Sequence, residues 1–174
     1  MREGLDRTSM RSIARELDCT TGVVTHYFRD KQELILFALN QVTEKLKQAM
    51  EEIADRPVSV DRLVEMLCAF LPLDNERQEI LKVWVAFLGY AVGRESLMIE
   101  HQASAGELRE VIMQELKTLQ SAKKIRQDID AGVEANSLLA LVNGIALDSL
   151  IQKDCLNSQQ QKMVIQRYFD GITI

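Results

Sequence analysis

The pattern that decides the fold lies between residues 8 and 34, which read Thr8-Ser-Met-Arg-Ser-Ile-Ala-Arg-Glu-Leu-Asp-Cys-Thr-Thr-Gly-Val-Val-Thr-His-Tyr-Phe-Arg-Asp-Lys-Gln-Glu-Leu34. In its first half the apolar residues recur at three- and four-residue spacing, which predicts a short amphipathic helix over 8–17. Asp18 breaks this pattern, and Thr20 is placed to cap a second short helix that ends near Tyr27. Two short helices joined by a tight turn predict a helix-turn-helix, whose second helix can enter a DNA major groove.

The second predicted helix carries the kinds of side chain that DNA binding needs. Its small residues would let the backbone approach a duplex closely, and the bulkier residues that flank them can reach phosphates. The small residues are Thr20, Thr21, Gly22 and Thr25, and the bulkier ones are His26, Tyr27 and Lys31. The alternative is an ordinary helical hairpin, in which the threonines are only caps and Tyr27 and Phe28 belong to the core.

The rest of the chain is also predicted to be helical. Asp30 and Glu33 have the spacing of a reciprocal capping box at the start of a long helix, and Ser158 and Gln161 have it at the last one. The predicted helices after the first two cover 31–55, 59–71, 74–92, 95–122, 131–152 and 158–171, with a polar loop over 123–130. We therefore expect an all-α protein of about nine helices and no sheet.

Composition places the chain among globular proteins and excludes several classes. The net charge is −5, and residues 1–31 hold six basic against five acidic residues, so the acidic excess lies in the remainder. The scattered Cys19, Cys68 and Cys155 lack metal-ligand spacing, which favours reduced thiols in the cytoplasm and no metal or cofactor. The longest strongly apolar stretch, near 83–92, is too short to span a membrane. We find no catalytic motif and expect no enzyme.

The helix-turn-helix residues resemble the signature of the TetR family of repressors. The resemblance rests on Ile13-Ala14, Thr20-Thr21-Gly22, His26-Tyr27-Phe28 and Lys31-Gln32-Glu33-Leu34. It implies a DNA-binding domain, which we place at 1–45, and a ligand-binding and dimerisation domain at 46–174. It implies double-stranded operator DNA as the partner, contacted from Thr8, Thr20, Thr21, Val23, Thr25, His26, Tyr27 and Lys31.

Three departures from the family pattern stand out. Asp18 occupies a position where the family usually has glycine, and Thr25 has less reach than the tyrosine common there. Family members also have a first helix of about a dozen residues before the position of Gly4, where only three residues stand here. Either this helix is missing from the sequence, or the domain is incomplete and its core is exposed. Because Ile13 and its apolar neighbours need a cover, we expect the first.

The later part of the chain is similar to the BetI-like branch of the family, which implies a pocket among the middle helices and a quaternary ammonium as one conceivable ligand. Independently, Trp84, Phe87 and Leu88 share one predicted helix face, with Phe70 and Tyr90 nearby in sequence. Aromatic faces can hold a cation, although such a stripe more often fills the core. Asn143 and Asp148 are polar positions in an apolar helix, with a ligand role or a structural hydrogen bond open for each. His101 is another pocket candidate, or a surface or core residue.

The last two predicted helices present apolar faces that favour a homodimer built as a four-helix bundle. We expect its interface to include Leu139, Val142, Val164, Tyr168 and Phe169. The sequence as a whole indicates a ligand-responsive repressor without membrane association. A helical enzyme and a protein-binding adaptor remain the alternatives.

Overall fold

The computed structural model describes residues 9–152 and 155–174, and these residues form eight α-helices. The helices are α1 (Met10–Glu16), α2 (Thr21–Tyr27), α3 (Lys31–Ala54), α4 (Val60–Cys68), α5 (Asn75–Ala91), α6 (Glu95–Ser121), α7 (Ala131–Ile151) and α8 (Ser158–Asp170). The all-α class is confirmed, and each observed helix corresponds to a predicted one with bounds shifted by at most three residues. The one backbone pairing of β type within the described ranges is an isolated bridge between Ile125 and Thr173.

Capping side chains explain where the first helices begin. The Thr20 hydroxyl accepts a hydrogen bond from the Val23 amide at 3.3 Å, so the predicted cap of α2 is confirmed. The Asp30 carboxylate likewise accepts from the Glu33 amide at 3.0 Å. The predicted return bond is wrong, however, because the Glu33 carboxylate accepts from the Arg29 amide at 2.7 Å instead of from that of Asp30.

The cap of the last helix lies one residue earlier than predicted. Asn157 and Gln160 form the capping box, and Ser158 is the first helical residue. The Ser158 hydroxyl donates instead to the carbonyl of Leu73 at 2.8 Å, which ties α8 to the segment between α4 and α5. Either capping box would satisfy free amides at the start of the helix, so the observed cap and the predicted cap differ by a single position.

Buried side chains form two clusters. The larger core joins α4, α6, α7 and α8, and its biggest members include Leu67, Ile112, Leu138, Ile165 and Phe169. The smaller core joins the first half of α3 to α5 and the start of α6. It consists of Ile35, Leu39, Phe87, Tyr90, Ala91 and Leu97, with Leu36, Trp84, Leu88 and Met98 packed against it. The smaller core therefore attaches the first half of α3, which directly follows the helix-turn-helix, to α5 and α6.

One helix corrects the expectation drawn from apolar stretches. Among the described residues, helix α7 is long and apolar enough to cross a membrane by length and composition alone, and 28% of its apolar stretch is buried inside the protein. One side of α7 packs into the larger core through Ala135, Leu138 and Val142, and its other side stays exposed. A core helix with a second apolar side passes the same length test as a membrane span.

Candidate DNA-binding surface and ligand cavity

The candidate DNA-binding surface consists of the outer side of α2 and the start of α3. Its residues Val23 and Tyr27 are 48% and 71% exposed, whereas Val24 between them is buried, as is Ala14 of α1. This alternation holds α2 on α1 through one side and leaves the opposite side open. Thr20, Gly22, Thr25 and His26 are also exposed, and Thr21 is half-buried. Thr8 lies outside the described residues.

Two of the predicted contact residues are engaged within the protein. The Thr25 hydroxyl donates to the carbonyl of Thr21 at 3.0 Å, so its reach is limited to its own helix. The Lys31 ammonium lies 4.7 Å from the centre of the Tyr90 ring, and the Arg94 guanidinium lies 3.9 Å from the same centre. Tyr90 stands at the end of α5, so the start of α3 is in contact with the C-terminal part of the chain.

A cavity of about 420 Å³ lies between α3, α5, α6 and α7, and the last turn of α4 also contributes to its wall. Helix α3 contributes a stripe at three- and four-residue spacing to its wall, from Leu39 to Ala54. Other wall residues include Met66, Phe70, Ile80, Leu81, Trp84, His101, Leu108, Leu139, Val142, Asn143 and Ala146. The volume falls within the range of pockets that hold small molecules.

Most of the charged wall residues are paired among themselves or with neighbours. Lys47 of α3 contacts Glu107 of α6 at 2.8 Å. The Glu115 carboxylate pairs with Arg62, whose guanidinium is buried and also donates to the carbonyls of Ala54 and Arg56 at the end of α3. The cavity is therefore bounded by ion pairs that stabilise the packing of α3 on its neighbours.

A cluster of three aromatic rings connects the cavity to the smaller core. The His101 ring lies 6.3 Å from the Trp84 ring and 5.6 Å from the Phe87 ring, measured between centroids. Trp84 and His101 line the cavity, and Phe87 lies behind them among Ile35 and Leu39 of α3. Burial lowers the pKa of His101, so its imidazole is neutral at neutral pH.

The structure separates the predicted ligand residues. Phe70, Trp84 and Asn143 lie on the cavity wall, but Phe87 is only 1% exposed and does not line it. Leu88 packs beside the same smaller core. The prediction of ligand contact is corrected for these two, because neighbouring positions on α5 turn from the cavity into the core. Asn143 and Asp148 are exposed, so neither needs a buried partner.

The predicted dimer residues also divide into two groups. Val142 and Phe169 are 1% and 0% exposed, so they belong to the larger core and cannot reach a second copy. Leu139 and Val142 line the cavity. Val164 and Tyr168 are half-buried, and the Tyr168 hydroxyl donates to the Glu134 carboxylate. Burial and this carboxylate raise the pKa of Tyr168 to about 12.

The exposed apolar stripe of the last two helices lies elsewhere. It runs along one side of α7 over Val133, Ala140, Gly144, Leu147 and Ile151, and α8 adds the exposed Met163. The α7 positions have three-, four- and seven-residue spacing, which places them on one helix face. Sequence reasoning missed this choice because α7 is apolar on every side.

Sequence reasoning also missed the walls from α3 and α6. The spacing of Leu46 and Met50 predicted an apolar stripe on α3 but gave no reason to assign it to a cavity. For His101 the sequence left three roles open, in a pocket, on the surface or in the core, and the structure places it on the cavity wall. The one sequence signal for a pocket role was its polar aromatic side chain on a predicted helix.

Comparisons with known proteins agree with this architecture. The family described as bacterial regulatory proteins of the tetR family matches residues 1–37, and the C-terminal family of BetI-type transcriptional repressors matches residues 59–173. The chain therefore belongs to the TetR family, with a BetI-type C-terminal domain. It is a DNA-binding transcriptional repressor.

Individual relatives cover nearly the whole chain. The transcriptional regulator PksA of Bacillus subtilis is 28% identical over 100% of this chain and 84% of its own length. The crystal structure of a transcriptional regulator from Pseudomonas aeruginosa PAO1 superposes with a TM-score of 0.83 at 27% identity, covering 98% of this chain and 82% of that one. A regulator from Saccharomonospora viridis, solved in complex with choline, gives a TM-score of 0.89 at 19% identity over 99% and 91% of the two chains.

Proposed function

We propose that the protein is a cytoplasmic repressor that binds a palindromic operator as a homodimer and releases it when a small molecule occupies the cavity. It acts by binding alone, without catalysis. The observation that carries the proposal is the course of α3, which begins beside α2 at Lys31 and lines the cavity from Leu39 to Ala54. One helix thus takes part in both candidate sites.

The length of α3 explains how the two sites would communicate. Its 24 residues span about 35 Å at 1.5 Å per residue. A ligand that favours one position of the cavity-lining half of α3 would tilt the other half of α3, which follows α2. In a dimer, this changes the separation of the two recognition helices, which must match successive major grooves. Ligand binding then lowers DNA affinity by a shift of population.

The homodimer is supported by the exposed apolar stripe of α7 and α8. Ile151 and Met163 are 75% and 61% exposed in the single chain, and Ala140 and Gly144 leave room for a close helix approach. A second copy related by a two-fold axis would cover the same stripe on both chains. Two helices from each copy then form the four-helix bundle predicted for this part.

The DNA contact is tested through salt dependence. We expect Lys31→Ala to weaken binding to DNA from upstream of its own gene about uniformly across sequences. The slope of log binding constant against log salt should fall by roughly one unit, because one phosphate contact is lost. Lys45→Ala is the matched control, since this lysine of α3 pairs with Glu76 at 3.3 Å.

A gel shift over a salt series makes the measurement. An unchanged slope for Lys31→Ala contradicts the phosphate contact. If the unmodified protein binds no DNA at low salt, the adaptor and enzyme alternatives take precedence over the proposed function. If Lys31→Ala and Lys45→Ala reduce the slope equally, binding is a general effect of charge.

The dimer is tested by adding a charge to the exposed apolar stripe. We expect Ile151→Glu to give monomers at micromolar concentration and to abolish binding to a palindromic site, because a charge without a partner is costly to bury. Ile99→Glu is the control, since Ile99 is 59% exposed on α6, away from the stripe. Sedimentation velocity measures both variants, and a monomeric wild type at the same concentration refutes the dimer.

A further inference from the structure

The chemistry of the cavity wall, rather than its size alone, defines the ligand class. Most wall side chains are apolar, from Leu46 and Met50 of α3 to Leu108 of α6. The cavity's volume of about 420 Å³ lies within the roughly 300–1,000 Å³ range of small-molecule sites, so size alone admits many ligands. Burying apolar surface is the main source of affinity that such a wall offers.

The wall offers little to a charged ligand. Lys47 and Glu107 already neutralise each other, and Glu115 is neutralised by Arg62. Arg77 pairs with Asp74 at 3.1 Å and donates to the Cys68 carbonyl, and Arg109 donates to Asn136 at 2.6 Å. The remaining charged wall residue, Glu51, is exposed to solvent. A charged ligand would lose its hydration without meeting a buried group of opposite charge that lacks a partner.

His101 is a half-buried polar group of the wall that an uncharged ligand can use. A neutral imidazole has one donor and one acceptor nitrogen. Its ring is half-buried against Trp84 and Phe87, and no group in residues 9–152 or 155–174 forms a hydrogen bond with it. A ligand hydroxyl or carbonyl at the cavity wall would satisfy one of these nitrogens and thereby fix the ligand's orientation.

We propose that the cavity binds an uncharged, mostly apolar molecule with one hydroxyl or carbonyl group, which forms a hydrogen bond with His101. The inference rests on the proposed function, in which this cavity is the effector site. It differs from the quaternary ammonium that the BetI-like resemblance implies, because the buried carboxylate of the wall, Glu115, is already paired with Arg62 and the imidazole is neutral. His101 selects the ligand's polar group, and the apolar wall selects its body.

Four probes with one carbon skeleton test the ligand class. They are 4-butylbenzyl alcohol, 4-butylbenzoate, 4-butylbenzyltrimethylammonium and the hydrocarbon 4-butyltoluene. Trp84 reports binding because it is the only tryptophan of the chain and lines the cavity. We expect the alcohol to bind at least ten-fold tighter than either ion. Tighter binding of the ammonium or the carboxylate overturns the proposal, as does the absence of a fluorescence change with all four.

Variants of the wall test the role of His101. His101→Phe should weaken alcohol binding about five-fold, the value of one neutral hydrogen bond, and change hydrocarbon binding less than two-fold. His101→Gln keeps a donor and an acceptor and should retain the alcohol's preference over the hydrocarbon. Ser104→Ala is the control, because the Ser104 hydroxyl donates to the Glu100 carbonyl. If His101→Phe weakens the binding of the alcohol and of the hydrocarbon equally, His101 only packs against the ligand, and its proposed hydrogen bond is overturned.

A gel shift with the same probes keeps this inference separate from the proposed function. Release of bound DNA by the ammonium alone overturns the ligand class and leaves the ligand-responsive repressor intact. Failure to bind DNA without any probe overturns the proposed function, while the fluorescence ranking still decides the ligand class. Circular dichroism confirms that each variant is folded, and if His101→Phe is unfolded, the wild-type ranking and His101→Gln decide.

Discussion

The two cores of this protein differ in what they hold together. The larger core joins α4, α6, α7 and α8 around fully buried side chains such as Leu138 and Phe169. The smaller core joins α3 to α5 and the start of α6, and Trp84 at its margin lines the cavity. The larger core therefore holds most of the fold together. The smaller core connects the cavity to the first half of α3, the helix that directly follows α2.

The largest effect is expected in the larger core. Phe169→Ala should lower the free energy of unfolding by about 3–5 kcal/mol, because it removes a fully buried aromatic ring and leaves a cavity. Ile99→Ala, at an exposed position of α6, should stay within about 0.5 kcal/mol. Urea denaturation at one protein concentration measures both, since dimerisation couples stability to concentration. A small loss for Phe169→Ala would mean that this core is loosely packed.

The two cores also differ in how well the sequence predicts them. The helices themselves follow from capping residues and apolar spacing, as at Thr20 and Asp30, because these signals are local. The division of α5 between Trp84 on the cavity wall and Phe87 in the core does not follow, because it depends on which neighbour each side of α5 meets. The same reason explains the error at Val142, which lies on a helix that is apolar on every side.

The next effect concerns coupling through the smaller core. Phe87→Leu keeps an apolar side chain but removes the ring that lies between His101 and α3. We expect ligand-induced release of DNA to weaken by about 1 kcal/mol, or roughly five-fold, because residues between two sites change their coupling by 0.5–2 kcal/mol. DNA affinity is measured with and without the benzyl alcohol probe at saturation.

The matched variant in this comparison is Phe70→Leu. Phe70 lines the cavity but packs against the larger core. It should change the affinity for the probe while the ratio of DNA affinities at saturation stays constant. If Phe70→Leu alters this ratio as much as Phe87→Leu does, both cores transmit the signal, and the assignment of coupling to the smaller one is wrong.

The smallest effect concerns the turn between α1 and α2. Asp18 has a φ of 51°, in the left-handed region that favours glycine, which accounts physically for the glycine usual in the family. The left-handed conformation costs a residue with a side chain roughly 1–2 kcal/mol, and glycine loses about 0.5–1 kcal/mol more backbone entropy on folding. Asp18→Gly should therefore stabilise the turn by about 0.5–1 kcal/mol.

Lys123 offers a matched site beside the larger core, because its φ is 55° at the end of α6. Lys123→Gly should raise the free energy of global unfolding by a similar amount, measured in urea. Asp18→Gly should mainly slow hydrogen exchange of the α2 amides, because α1 and α2 bury little apart from Ala14 and Val24 and can open before the rest. If Asp18→Gly raises the global value as much as Lys123→Gly, the helix-turn-helix unfolds together with the larger core. The smaller core then joins the two parts more tightly than its size indicates, and a ligand at Trp84 acts on one cooperative unit.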